Sequence, residues 1–366
     1  MPQESEIHEK EQRLWKGLEG KRLDGVLISR RSNFAWITAG GDSHVFWASE
    51  TGAESLLLTH GGKFLLAHTM DGERMVHEEV AGQGWELKAY PWFEGRQPTL
   101  DRLTGGLRLG CDVPTPGMTF LDEAFWRGLE FPLLPAEIER VREIGRLADQ
   151  AMCEVGMSIQ AGETELEIGG RLTQASIRRG IYPDVLLVGS DERLYRYRHC
   201  LPTARPVQNL VLMHVAGEKY GLHANVTRMV HFGPIPEDLC RRHAAVSYIH
   251  SQILAHLQPG YPFRELLEVI KAGYAETGFA DEWQGHFQGG IAGYEACYPL
   301  MLLDPEAKIG PNEAYDWLLT VPGTKTEELS LQTGAGVEVP SMVENWPALQ
   351  YSVGGNTVRL PDILER

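Results

Sequence analysis

Cysteine is scarce in this sequence: there are five (Cys111, Cys153, Cys200, Cys240 and Cys297), and none forms a C-x-x-C pair. That scatter excludes a zinc ribbon and a disulfide framework and leaves reduced thiols as the expectation. Long apolar runs are missing too, since no stretch approaches the roughly 20 residues of a membrane span. The opening MPQESEIHEKEQRLW carries charges where a signal peptide needs an apolar run, so a cytoplasmic location and no membrane partner are expected. No Lys/Arg-rich segment relieves a formal charge of −16, which excludes nucleic acid as an expected partner. The Gly-rich GGIAG lacks the spacing and Lys-Ser/Thr of a phosphate loop, and G-x-S-x-G is absent, so there is no serine-hydrolase elbow.

What is present is 366 residues, 43% of them hydrophobic, enough to bury the cores of two domains. The chain opens with an amphipathic helix over Ile7 to Leu18, the apolar run GVLISR, a turn at Arg31-Ser32-Asn33, and FAWITAGG. ESLLLTHGGKFLLAH reads as a hairpin around Gly61-Gly62. Alternating strands and helices to Cys111-Asp112-Val113 suggest a compact α/β unit. FPLLPAEIERVREIGRLADQAM then opens a long helix, so the domains are placed at 1–134 and 135–366. The second repeats itself weakly: SIQAG precedes the helical TELEIGGRLTQASIRRG, HLQPG precedes FRELLEVIKAGYAETG, and β-like sequence follows each copy. Such a duplication implies a pseudo-twofold domain with sheets inside and helices outside.

Across essentially the whole chain the sequence resembles the creatinase, aminopeptidase P and prolidase family. GVLISRRSNFAWITAGG resembles its smaller domain, and EIERVREIGRLADQA with IQAGETELEIGGRL resembles the opening helices of its pita-bread domain. LVLMHVAGEKYGLHANVTRMVHFG resembles the hairpin with I-D-x-G and G-Y-x-x-D-x-T-R in metal-dependent members, whose aspartates bind metal. The resemblance implies an α/β fold: a small creatinase-like domain followed by a pita-bread domain. Two aspartates, a histidine and two glutamates suit a pair of divalent ions, because bridging oxygens hold both metals and the water between them. Carried over by position, the aspartates fall on His214 and Asn225, and the histidine of G-H-G-I-G falls on Gly290 in GHFQGGIAGYE. The glutamate before proline falls on Leu318 or Val321. Only Glu327, in KTEEL, keeps its carboxylate, so the dinuclear centre is expected to be absent and no metal ligand is assigned.

The resemblance also implies catalytic roles for His199, in RYRHCLPT, and His286, both matching family histidines near the substrate; a third falls on Cys297. Alternation along a strand puts His223, Asn225 and Thr227 on one face, and with His214 this concentrates imidazole in a chain of only 13 histidines. An imidazole against a carboxylate such as Glu327 can shuttle a proton near neutrality. The catalytic candidates are therefore His199, His286 and Glu327, and the substrate-binding candidates His214, His223, Asn225, Arg198 and Glu295. Glu327 beside Lys325 also reads as a simple ion pair, and Arg193, Arg196 and Arg198 as a salt-bridged face. Cys200 and Cys297 have histidines in the same region, the raw material of a thiol nucleophile. Three functions remain open. One is a metal-independent hydrolase of a C–N bond in a small amidino, ureido or dipeptide-like compound. The second is an inactive pseudo-peptidase that binds a ligand or partner. The third is a hydrolase with one divalent metal at His214, His223 and Glu327. A homodimer is implied by the resemblance.

Overall fold

A computed structural model describes residues 2–299, 306–342 and 345–366. The chain divides into two units, one ending at Ala136 and the other running from Glu137 to Arg366.

The first unit is built on a six-stranded mixed sheet. Its opening helix, Pro2–Gly20, buries Ile7, Leu14 and Leu18 together with a Lys10–Glu6 ion pair. Strands Thr51–Thr59 and Gly62–His68 form the hairpin expected around Gly61-Gly62. The expected turn at Arg31-Ser32-Asn33 is instead the first turn of a helix, Arg31–Ile37. Asn33 is the reason: its amide donates to the buried Asp112 carboxylate at 3.0 Å, which also accepts from the backbone N–H groups of Ser29 and Arg30. One side chain thereby fixes the strand end and the helix start that follows it.

In the second unit a helix pair is followed by a strand hairpin, twice. Helices α1 (Pro135–Gly156) and α2 (Glu165–Ile177) lead into β1 (Tyr182–Ser190), β2 (Leu210–Lys219) and β3 (Leu222–His231). Helices α3 (Glu237–His256) and α4 (Phe263–Glu276) lead into β4 (Gly289–Ala292), β5 (Glu313–Val321) and β6 (Thr324–Thr333). The capping box that opens α2 is written in the sequence: Thr164 and Glu167 exchange side-chain and backbone hydrogen bonds. These strands lie in the order β4-β5-β6-β3-β2-β1 within a nine-stranded sheet. The order reads the same from both ends, copy against copy, with the pseudo-twofold between β6 and β3.

Both hairpins turn as their sequences dictate. Tyr220 and Gly221 have φ of 59° and 74°, the pattern of a type I′ turn. Pro322-Gly323, with Gly323 at φ 93°, carries the residues of a type II turn. Alternation then sends odd and even residues of each strand to opposite faces. On one face Thr324 and Thr326 of β6 meet His243 and His250 of α3, at 2.8 and 3.2 Å. Arg228 of β3, on this helix-covered side, pairs with Asp149 of α1 and Glu328 of β6, all three fully buried. The other face carries the candidate site.

Candidate functional site

Cross-strand register assembles the site. His214 pairs with Thr227, Leu318 pairs with Glu327, and the Val226–Glu328 pairing brings Thr227 alongside Glu327. His214, Thr227, Glu327 and Leu318 therefore form one row across β2, β3, β6 and β5. The next row holds Asn225, Asp316 and, opposite Asp316, Gly290. Register also settles the choice left by the sequence: Leu318 faces Glu327, whereas Val321 sits at the hairpin end opposite Thr324. Gly289 is required where it stands, because its φ is 102° and a Cβ there would lie 2.0 Å from the Asp316 carbonyl oxygen.

Glu327 is the charged centre of this face. Its Oε2 lies 3.2 Å from His214 Nδ1 and forms an ion pair with Lys325, and all three side chains are almost fully buried. Burial works against the carboxylate, but His214 and the Lys325 ammonium facing it outweigh burial and hold its acidity below the ordinary carboxyl range. Asp316 responds in the opposite sense. Burial first, and then the Glu327 charge to which it is hydrogen-bonded, push it well above that range, so it keeps its proton. Burial depresses His214 to about 3, leaving it neutral. Since its Nδ1 faces Glu327 Oε2 and, at 3.1 Å, Thr227 Oγ1, the proton sits on Nδ1 and Nε2 is bare.

His199 and His286 form a pair, Nε2 to Nε2, at 2.9 Å with their rings edge-on. Burial lowers His286 to about 4, and partial burial lowers His199 more mildly, with Lys325 acting in the same direction. His286 Nδ1 lies 2.8 Å from the Phe287 carbonyl and must donate to it. Neutral His286 therefore accepts at Nε2, His199 donates from its own Nε2, and the lone pair of His199 is on Nδ1. Arg198 does not face a substrate carboxylate: its guanidinium pairs with Glu282 at 2.8 Å. That ion pair ties the segment carrying His199 to the short helix Glu282–Gly285, which immediately precedes His286.

The remaining candidates hold a loop. His223 sits between the Asp184 carboxylate, 3.0 Å from Nε2, and the Gly293 carbonyl, 3.2 Å from Nδ1. Burial opposes its charged form, but the hydrogen bond and charge of Asp184 prevail and raise its pKa. Asn225 donates from Nδ2 to the Ala296 carbonyl at 2.7 Å. Between them these two residues pin 293–296 to the sheet. Glu295 lies half-buried in that loop, where its charge adds to the rise of His223. His223 is therefore not joined to His214 and Glu327, as a single-metal set would require. It lies four residues along β3 from Thr227, roughly 13 Å at 3.3 Å per residue, and both its nitrogens are engaged. Neither thiol is activated. Cys200 is buried against the Arg193 and Tyr197 carbonyls, and burial raises it; burial and then Asp316 raise Cys297 much further.

The residues at the five dinuclear positions, His214, Asn225, Gly290, Leu318 and Glu327, do not suit two divalent ions. They offer one carboxylate, and it already carries an ammonium; the Asn225 amide points its nitrogen at a carbonyl. Among the described residues the grouping of His, Cys, Asp and Glu that could surround an ion is Glu54, His68 and Asp71 in the first unit. Asp316 and Asp184 escaped the reading of the sequence. The signal for Asp316 was available: an aspartate inside the apolar strand AYDWLLTV is costly to bury unless it has partners.

The second unit is a pita-bread α/β fold with a polar inner face. Residues 139–312 match the model of metallopeptidase family M24. The fold is similar to that of a prolidase from Pyrococcus horikoshii OT3, with a TM-score of 0.77 at 17% identity, covering 92% of this chain and 99% of that one. It is similar also to a Xaa-Pro dipeptidase from Bacillus anthracis, with a TM-score of 0.76 at 16% identity over 98% and 100% of the chains. The N-terminal domain of the FACT complex subunit SPT16 from chickpea shares it as well, with a TM-score of 0.69 at 8% identity over 93% and 97%. No helix among the described residues is long and apolar enough to cross a membrane.

Proposed function

We propose that this protein hydrolyses a C–N bond in a small amidino, ureido or dipeptide-like compound without a metal ion. The observation that carries the reading is the His199–His286 pair, whose hydrogen bonds leave His199 Nδ1 as an unprotonated base beside the Glu327–Lys325 ion pair. His199 Nδ1 takes a proton from water as the water oxygen bonds to the substrate carbon, giving a tetrahedral adduct. The same proton passes to the substrate nitrogen, the C–N bond breaks, and its electrons leave with the amine. His286 keeps the His199 tautomer in place, and Glu327 orients substrate polar hydrogens. Burial depresses both imidazoles, which suits them to act as free bases near neutrality.

The test is a panel of small amides, ureas, guanidines and Xaa-Pro dipeptides assayed with and without chelator. Turnover unaffected by chelator, and reduced about 10²- to 10⁴-fold by His199→Ala, is the expected result. Undiminished turnover in that variant would refute the mechanism. A second reading, a pseudo-peptidase that binds a ligand or partner, draws support from the fold's occurrence in a subunit of the FACT complex. Tight ligand binding with no turnover across the panel would favour it. Homodimerisation and a cytoplasmic location belong to the same proposal, and light scattering in solution checks the first.

A further inference from the structure

Glu327 has two nitrogen neighbours at one oxygen, His214 Nδ1 and the Lys325 side-chain nitrogen. Lys325 precedes it by two positions on β6, so both side chains rise from the same face. The ammonium meets Glu327 Oε2 where that face is almost closed to water, while His214 Nδ1 stands 3.2 Å from the same atom. Of the five dinuclear positions this is the one that kept a carboxylate. We propose that Lys325 is the resident cation of the pocket: it supplies to Glu327 the positive charge that divalent ions supply in a dinuclear site, and it keeps such ions out.

The neighbours of Glu327 give this a chemical consequence. Asp316 is hydrogen-bonded to Glu327 from the next row, with the Cys297 thiol behind it. Without the ammonium, Glu327 would offer an arriving dication a carboxylate with the His214 imidazole 3.2 Å from its Oε2, and carboxylate and imidazole are donors that suit a transition-metal dication. With it, an arriving dication would have to displace a buried charge of its own sign or sit against it. The inference is independent of whether the pocket turns over its ligand or only holds it.

The experiment is Co²⁺ binding to the full chain, by equilibrium dialysis and by the d–d absorption of the bound ion, in wild type, Lys325→Met and Lys325→Gln. Wild type is expected to take up no stoichiometric ion in the pocket. Each variant is expected to bind one Co²⁺ per chain at least about tenfold more tightly, and adding Glu327→Gln should abolish the gain. Asp71→Asn in the same background separates any ion held at Glu54, His68 and Asp71; a signal that follows Asp71 counts as no gain. Folded variants with no gain would overturn the proposal. So would a wild type that binds one ion per chain and loses it with Glu327→Gln. Should neither lysine variant fold, the wild-type measurement still decides: uptake dependent on Glu327 refutes the proposal, and its absence supports it.

Discussion

Replacing Arg228 with Met should cost far more than replacing any residue of the pocket, although Arg228 follows Thr227 in the motif that marks the family hairpin. Its guanidinium is wholly buried. It pairs with Asp149 of α1 and Glu328 of β6 and donates to the Thr227 and Ser341 carbonyl oxygens. Removing one partner from a buried ion pair costs roughly 3–5 kcal/mol. The origin of the loss can be worked through Glu328. Burial pushes its carboxyl up to about 8 even though Arg228 pulls it back, so wild type already holds this proton at neutrality, above an unfolded value near 4.3. Without the guanidinium the carboxyl rises further and stays buried as the neutral acid to higher pH. Wild type releases the proton as pH rises through about 8 whereas the variant keeps it, so the variant's stability goes on falling where that of wild type levels off. The deficit should therefore be larger at pH 9 than at pH 7. For a body of 150–250 residues this corresponds to a melting point lowered by about 6–20 °C near neutrality. Urea and thermal unfolding of wild type and Arg228→Met at the two pH values measure it. Adding Glu328→Gln should recover part of the loss. A variant that unfolds within about 1 kcal/mol of wild type, or whose deficit ignores pH, would refute the account.

Asn225→Asp should not rebuild a metal site. It removes the donor to the Ala296 carbonyl and sets two acceptors 2.7 Å apart, a loss of about 1–3 kcal/mol measurable by denaturant unfolding. The pKa of His223 is raised in the fold. Its hold on the 293–296 loop should therefore be complete below pH 6.5, its ordinary value, and should weaken as pH rises through the higher folded one. Hydrogen exchange in that loop should quicken over this window in wild type, and His223→Gln should remove the pH dependence. Of the five thiols, exposed Cys240 should react first with a disulfide reagent, while Cys200 and Cys297, raised by burial, should react only after unfolding. The His199 base should lose activity on the acid side, where Nδ1 is protonated. Since partial burial lowers its pKa, the acid limb of kcat/KM should fall below pH 6.5, and His286→Ala should displace it.

The parts of the fold that were legible in the sequence are those whose instructions are local. Thr164 and Glu167 open a helix wherever they stand in that spacing, Gly61-Gly62 closes a hairpin, and the two helix-pair copies announce the symmetric sheet order. What the sequence concealed depends on which residues meet across strands. Leu318 and Val321 were indistinguishable until register placed only Leu318 opposite Glu327. His223 looked like a pocket residue until Asp184, on β1, took its Nε2. Arg198 resembled a substrate clamp until Glu282, distant in sequence, claimed it. Each error has one cause: a polar side chain's role is set by the partner it finds, and partners come from other elements.

That dependence on partners also explains how Glu327 can stay charged inside the sheet face. A buried carboxylate without compensation would take up a proton and drift far above its ordinary range. Glu327 does the reverse, and the pull comes from His214 and Lys325, one on β2 and the other two residues away on the same strand. His214 adds no negative charge here and stands with Nδ1 3.2 Å from the Glu327 carboxylate. Asp316, in the next row, completes the balance by keeping its proton. The charge of Glu327 is thereby held by its neighbours on the sheet, with His214 and Lys325 at the same oxygen.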